Sequence, residues 1–320
     1  MSKRKVLLVT RPDIGKSAVV SVVMRMLESA GITVELIDTL QSKRFGQWKK
    51  PLLDPTVELV LVLGGDGTIL GTAELAKGTS VPILGVNMGH VGFLAEFEEF
   101  QIREAIQRVI DRNYQVEKRI LADVKAYLPG VDEPLHDWAL NEVTIEKSDR
   151  GKMVELGIEV DETEVSSFAS DGVVISTPTG STAYAFSAGG PLIWPTLRCL
   201  EMAPLAAHAL FNRPFVIGDT SSFRVGVLPN SISEGWITCD GRRSTLLPRG
   251  SYVDVSVCKD VLNLAHLSEV PFAQRLVTKF DLPVSGWRQK NHPSEFSRPW
   301  ALAADAGQNA TSHSEVNDAH

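Results

Sequence analysis

The chain has 320 residues, 43% hydrophobic and 22% charged, enough for about two domains with a sizeable core, which excludes disorder of the whole. No apolar run nears the ~20 residues of a bilayer-spanning helix, and residues 6–10 are too short for a signal-peptide core. A net charge of −7, from 32 basic and 39 acidic residues, argues against nucleic acid as the main partner, so a cytoplasmic chain without membrane or nucleic-acid partners is expected.

In chain order, residues 6–10, 32–37, 57–63 and 83–86 are short aliphatic runs rich in β-branched residues. Three of the four lack polar alternation, which predicts strands buried on both faces of a parallel sheet. Val19, Val22, Val23, Met26 and Ala30 recur at helical spacing before Gly31, and Ile102, Ala105, Ile106, Val109 and Ile110 mark another helix. Strand alternating with helix predicts a doubly wound, Rossmann-like α/β domain over residues 1–114. From residue 115 the pattern changes. Residues 155–160 and 252–257 alternate apolar with polar, so 115–271 is predicted to be mainly antiparallel β, with one helix near 198–210. Residues 272–280 look helical, 272–287 are expected to return to the first domain, and the polar tail 288–320 is expected to be disordered.

Cys199, Cys239 and Cys258 form no CxxC pair, and seven scattered histidines give no HExxH. These read as buried thiols in a reducing compartment and argue against a structural or catalytic zinc site. Residues 10–17 end in Gly15-Lys16-Ser17, but Thr10 stands where a phosphate-cradling Walker loop needs glycine and Pro12 removes a backbone donor. A serine nucleophile elbow also fails, because Ser181 lacks glycines two residues either side.

The most informative segment is Gly64-Gly65-Asp66-Gly67-Thr68, between the apolar run 57–63 and a helix predicted over 69–76. Glycines let backbone N–H groups approach a ligand, and the helix N-terminus adds a positive end. A dinucleotide GxGxxG fits poorly, since residue 70 is Leu and Gly71 comes one step late. A carboxylate in a turn that only cradled phosphate would repel it. Asp66 therefore either holds a magnesium ion, takes a proton from an attacking hydroxyl, or merely caps the next helix. Further on, the adjacent amide and carboxylate of Asn141-Glu142 suit sugar hydroxyls and an adenine edge, although such a pair is also an ordinary strand end. Ser170-Asp171-Gly172 then leads through residues 173–175 into a dense hydroxyl and glycine run, residues 176–190, with Tyr184 as an aromatic face. Such a run offers many neutral donors to a nucleotide sugar and ring.

Together these segments resemble the NAD kinase family over roughly residues 5–287. Gly64–Thr68 looks like its GGDGT motif, Asn141-Glu142 its NE motif, and Asp171-Gly172 with 177–190 its TPTGSTAY-type stretch. Asn87-Met88-Gly89-His90-Val91-Gly92-Phe93-Leu94 resembles its N-x-G-x-x-G-F-L segment. The resemblance implies the family's two-domain fold and transfer of a phosphoryl group from ATP or polyphosphate, with Mg2+ or another divalent cation carried by the phosphates, to the 2′-hydroxyl of the adenosine ribose of NAD. It implies Asp66 as the general base, with Gly64, Gly65 and Thr68 along the donor phosphates. Asp66, Gly67, Phe93, Asn141, Glu142, Lys152, Asp171, Thr182, Ala183, Tyr184, Ala185, Phe186 and Ser187 would contact NAD. It also implies a homodimer or homotetramer. Gly71 and Ala169 stand where some relatives carry arginine, so any phosphate contact from those side chains is missing or supplied elsewhere. The alternatives are a lipid or sugar kinase of similar fold and a non-catalytic NAD-binding regulator.

Overall fold

The structure is a computed structural model that describes residues 4–11, 17–37, 53–54, 56–87, 92–97, 102–210, 212–267 and 270–283. The loop weighed as a Walker cradle (residues 12–16), residues 88–91 of the N-x-G-x-x-G-F-L segment, residues 284–287 and the tail lie outside the described residues. The chain divides into two compact units, Met1–Glu269 and Val270–His320.

The first part of the larger unit alternates strand and helix as its periodicity predicts. Its elements are β1 (Lys5–Thr10), α1 (Ala18–Ser29), β2 (Thr33–Ile37), β3 (Val57–Leu63), α2 (Asp66–Ala76), β4 (Ile83–Val86), β5 (Ala95–Phe97) and α3 (Ile102–Ile110). β2, β1, β3, β4 and β5 run parallel. Successive side chains of a strand point to opposite faces, so β1 and β3 feed two cores at once. Val6, Leu8, Leu59, Leu61 and Leu63 pack with Val23 and Leu27 of α1 and Ile106 of α3. Leu7, Val9, Val60 and Val62 pack on the other side with Ile69, Ala73 and Ala76 of α2, together with Trp138 and Leu140.

After residue 114 the strands pair antiparallel with one another: β6 (Gln115–Tyr127), β7 (Leu135–Ala139), β8 (Glu142–Lys147), β9 (Val154–Val160), β10 (Thr163–Ser170) and β11 (Gly172–Ser176). A short helix α4 (Tyr184–Ser187) precedes β12 (Cys199–Leu205), β13 (Phe215–Gly218), β14 (Phe223–Val227), β15 (Gly235–Cys239), β16 (Arg243–Leu247) and β17 (Tyr252–His266). β13-β12-β11-β8-β15-β16 form a six-stranded antiparallel sheet. The remaining strands join the parallel ones, because β17 pairs with β6, β14 and, at Leu264–Ile83, with β4. One eleven-stranded sheet thus runs through both parts of the unit. Its antiparallel portion packs on the smaller sheet through Val124, Ile158, Phe223 and Val255 against Ile145, Ile175, Met202 and Ile237. In the second unit, α5 (Phe272–Phe280) follows Pro271, as its pattern predicts, and ends on Asp281 in the left-handed region.

The helix expected near residues 198–210 is instead strand β12. Leucine, methionine and alanine there suit a helix, but the segment lies between β11 and β13, where neighbouring backbones take up its hydrogen-bonding groups on both sides. The helix expected from residue 69 begins three residues earlier, at Asp66.

β12 also carries a buried acid. Glu201 is fully buried, and neither carboxyl oxygen meets a hydrogen-bond partner among the described residues. Gly190 lies so close to its Oε1 that a β-carbon there would collide. Burial pushes the Glu201 carboxyl up to about 7. Because the folded value lies above the ordinary one, this acid's contribution to stability is intact below about pH 4.5 and lost as pH rises through about 7. Glu201→Gln is therefore expected to melt increasingly above the parent chain as pH is raised from 5 to 8.5. A melting-temperature difference constant over that range would contradict the assignment.

Candidate active site

Strand β3, held between β1 and β4, carries the chain, wholly apolar from Leu59 to Leu63, to the carboxyl ends of the parallel strands. Gly64 N–H donates to the Val86 carbonyl of β4 at 2.9 Å, which ties the turn to the neighbouring strand. A β-carbon on Gly64 would lie 2.6 Å from Thr68 Oγ1, so the glycine lets the helix start close to the strand end. Gly65 is the N-cap of α2, and its carbonyl accepts from Thr68 N (2.9 Å) and Ile69 N (3.2 Å). Asp66 is consequently the first helical residue and not the cap. Its carboxylate crosses to the segment after β4, where Oδ2 accepts from Phe93 N and Oδ1 from Leu94 N, each at 3.1 Å. Two such bonds, one to each carboxylate oxygen, fix its direction. Gly92 makes this possible, because a β-carbon there would overlap Asp66 Oδ1.

The second group assembles around the junction of β7 and β8. Leu140 N and Asn141 N donate to the Asp240 carboxylate at 2.9 and 2.7 Å, and Thr177 binds from the other side. Thr177 Oγ1 donates to the Leu140 carbonyl at 2.6 Å and its N–H to that of Asn141 at 2.9 Å. Gly180 packs so tightly on the Asn141 carbonyl that no side chain would fit. Asn141 and Glu142 are both buried, yet Asn141 Oδ1 and Glu142 Oε2 meet no partner among the described residues. Buried polar atoms are nearly always satisfied, so two unsatisfied oxygens on adjacent residues make this pair a candidate position for a ligand's donors. Burial, then the charge of Asp240, pushes Glu142 up to about 8, against the Tyr184 N–H, which donates to it. At neutral pH Glu142 is thus mostly an uncharged acid, able to donate as well as accept.

The hydroxyl-rich run divides into an inward and an outward part. Ser176 Oγ donates to the Thr177 carbonyl, and Ser181 Oγ donates to Pro178 O and accepts from Ile193 N. These hydroxyls hold the turn and are not offered to a ligand. Thr182 Oγ1 reaches Thr179 O at 3.4 Å, Ala183 N–H donates to the Gly180 carbonyl, and Ala185 is buried. Tyr184, Phe186 and Ser187 are exposed. Tyr184 and Ser187 line a cavity of about 500 Å³ with Asp171, Glu146, Lys147 and Arg150. In it Tyr184 Oη bonds Glu146 at 3.2 Å and Asp171 pairs with Lys147. Of the residues predicted from sequence, Asp66, Phe93 and the Gly64–Thr68 turn form one group. Asn141, Glu142, Asp171 and residues 182–187 form another. Lys152 stands apart, exposed on the turn after β8 and paired with Asp149 at 3.2 Å.

What joins the two groups was not legible in the sequence. Arg243, at the start of β16, is completely buried, and its guanidinium donates in three directions. Nη1 reaches Glu74 of α2 and Nε reaches Asp137 of β7, both at 2.9 Å, while Nη2 reaches the Trp138 carbonyl at 2.5 Å and lies 3.6 Å from Asp240. Arg242 adds a 3.2 Å pair to Glu74, and the Trp138 ring lies 4.8 Å from the Arg243 guanidinium. Burial works against the charge on Arg243, but Asp137, Asp240 and Glu74 together hold its pKa above the ordinary value. Burial raises the Asp240 pKa, and Arg243 and the N–H groups of residues 140–142 pull it back. In sequence, Asp240-Gly241 reads as a plain hairpin turn, and both residues do take positive φ (52° and 64°). That bland local reading conceals the Asp240 side chain's second use. Among the described residues no cluster of three or more His, Cys, Asp or Glu side chains is arranged to hold a metal ion.

Comparison with known proteins follows the same division of the chain. Residues 6–114 match the family model for the ATP-NAD kinase N-terminal domain, and residues 140–267 that for the ATP-NAD kinase C-terminal domain. The chain is 54% identical over 300 residues to the NAD kinase of Bifidobacterium longum subsp. infantis, covering 93% of this chain and 88% of that one. It is 43% identical over 291 residues to the NAD kinase of Thermobifida fusca, covering 87% and 88%. Among solved structures, yeast NADH kinase complexed with NADH superposes with a TM-score of 0.75 at 22% identity, over 88% of this chain and 89% of that one. An NAD kinase from Archaeoglobus fulgidus in complex with ATP gives 0.62 at 24% identity, over 82% and 92%. At such identities the two superpositions speak to the fold alone.

The close approach of Gly92 to Asp66 generates a stability test. Gly92→Ala forces the carboxylate off its two N–H donors and is expected to cost about 1–3 kcal/mol, as overpacking does, measured by chemical denaturation. A variant as stable as the parent would show that the turn has room the geometry denies.

Proposed function

The chain belongs to the NAD kinase family and has the activity of an NAD kinase, and we propose that the Asp66 carboxylate is the base that drives it. The acceptor is the 2′-hydroxyl of the adenosine ribose of NAD, and ATP is the donor. The observation that carries this reading is the pinning of Asp66 by Phe93 N and Leu94 N at the mouth of β3. A group held in one direction costs little reorganisation when the substrate arrives.

In the proposed step the 2′-hydroxyl oxygen attacks the γ-phosphorus of ATP. Its O–H proton passes to Asp66, a new P–O bond forms, and the bond to the departing ADP oxygen breaks. Asp66 then releases the proton to solvent. Gly64, Gly65 and Thr68 line the phosphates, where the glycines' lack of side chains allows close approach and the N-terminus of α2 supplies partial positive charge. A divalent cation, if carried by the donor's phosphates and not by protein ligands, would supply neutralisation of the charge on the transferring group. No lysine or arginine lies within the turn itself, so this neutralisation matters here. Asn141 Oδ1 and the mainly protonated Glu142 take hydroxyls of the dinucleotide. Asp171, Thr182, Ala183, Tyr184, Ala185, Phe186 and Ser187 hold its ring and sugar, Gly67 and Phe93 close the end near Asp66, and Lys152 joins them only by leaving its pair with Asp149. Tyr184 offers a ring face at the rim of the cavity, which suits stacking on a base.

Proton removal by a placed carboxylate contributes about 10²–10⁴-fold. Asp66→Asn keeps the size and both acceptor directions of the side chain only in part and removes its basicity. It is expected to lower kcat by about that factor while the dissociation constant for NAD changes by no more than a few-fold, read by NADP formation from Mg-ATP and NAD and by calorimetric titration with NAD. Unaltered turnover would remove Asp66 from the role of base.

A further inference from the structure

The chemistry above uses neither Arg243 nor the carboxylates around it, yet this buried guanidinium touches both the helix that carries Asp66 and the strand that leads into Asn141-Glu142. Glu74 lies on α2, the helix that Asp66 begins, and Asp137 and Trp138 lie on β7, which runs directly into Asn141-Glu142. Asp240, 3.6 Å from Arg243, holds the N–H groups of Leu140 and Asn141. We infer that Arg243 is a positioning residue, which fixes the aim of Asp66 relative to Asn141 and Glu142 by clamping Glu74 on one side and β7 on the other. The inference rests on the reading of Asp66 as the base.

Helix geometry gives the clamp its leverage. Glu74 follows Asp66 by eight residues, about 12 Å along the axis and about 80° round it after two full turns. The bonds from Phe93 and Leu94 hold the carboxylate at the N-terminal end of α2. Holding Glu74 at the far end fixes the remaining freedoms, rotation about the axis and tilt away from the sheet. A guanidinium suits this work because its planar fork holds three acceptors at fixed angles, whereas an ammonium is a point charge that satisfies them without dictating direction. A misplacement of about 1 Å at a reacting group can cost about 10²-fold in rate, so a clamp of this kind has kinetic consequences.

The test measures kcat and KM for NAD on the purified full chain, for the parent, Glu74→Ala, Arg243→Lys and Asp66→Asn, with thermal melting of each. Glu74→Ala frees α2 but leaves β7 held by Arg243 and Asp240. It is expected to lower kcat at least tenfold with KM for NAD within twofold of the parent. Arg243→Lys keeps a buried charge among the carboxylates, and so the fold, but loses the fork that holds both sides. It is expected to lower kcat at least tenfold and to raise KM as well. A purely stabilising role would lower the melting temperature of both variants and leave kcat per folded molecule unchanged. Either variant, cooperatively folded, with kcat within twofold of the parent would overturn the inference. Asp66→Asn separates the two ideas: if it retains full turnover the base assignment fails, and if it is inactive while the other two are unaffected only the clamp fails.

Discussion

A guanidinium with no access to water is the constraint around which this molecule is arranged. Removing a charge from water costs several kcal/mol even after relaxation, and it is tolerated only where hydrogen bonds and opposite charges replace the lost solvation. Arg243 meets that condition through Glu74, Asp137, the Trp138 carbonyl and the neighbouring Asp240, with an aromatic face beneath. Losing one partner of such a set leaves the rest buried and unbalanced, typically at a cost of about 3–5 kcal/mol. The network therefore forms whole, and it holds α2, β7 and the β15–β16 turn at one spacing. Apolar packing of Ile69, Ala73 and Ala76 with Trp138 and Leu140 brings the same elements together, but hydrophobic contact has no direction. The ionic fork supplies the direction.

Against that frame, satisfied and unsatisfied polar groups sort themselves by role. The carboxylates of Asp66 and Asp240 both accept backbone N–H groups, yet Asp240 is wholly buried whereas Asp66 is partly open at the carboxyl ends of the parallel strands. Asn141 Oδ1 and Glu142 Oε2 are buried and unsatisfied among the described residues, a cost that the proposed contacts to a dinucleotide's hydroxyls would remove. Glu201 is also unsatisfied, but it faces Gly190 inside the fold and answers by raising its pKa. The hydroxyl run teaches the same distinction from the other side. Ser176, Thr177 and Ser181 spend their bonding capacity on backbone groups, which shapes the turn that presents Tyr184 and Ser187 at the cavity.

Much of this was legible in the chain. The α/β beginning, the change to antiparallel strands after residue 114, the helices at 102–110 and 272–280 and the close-packed Gly64–Thr68 turn follow from periodicity and glycine placement, which are local properties. Two readings failed for an equally physical reason. The residues of β12 would serve a helix as well as a strand, and partners on both sides decided between them. The start of α2 was set three residues late because Gly65 caps it with backbone alone, without a side chain that would announce the boundary.

By itself, then, the sequence determined which segments are apolar on two faces, where the backbone approaches closely, and which residue types gather at each glycine-rich turn, since all of these are written within a few consecutive positions. Only the tertiary structure decided that Asp66 is held by residues 93 and 94, that Asn141 Oδ1 and Glu142 Oε2 are buried without a hydrogen-bond partner among the described residues, and that Arg243 links the segments that carry them. Leu140 and Asp240 are 100 residues apart and Glu74 and Arg243 are 169. A pairing across such distances leaves no trace in local pattern, because it exists only once the sheets have closed and water has been excluded from between them.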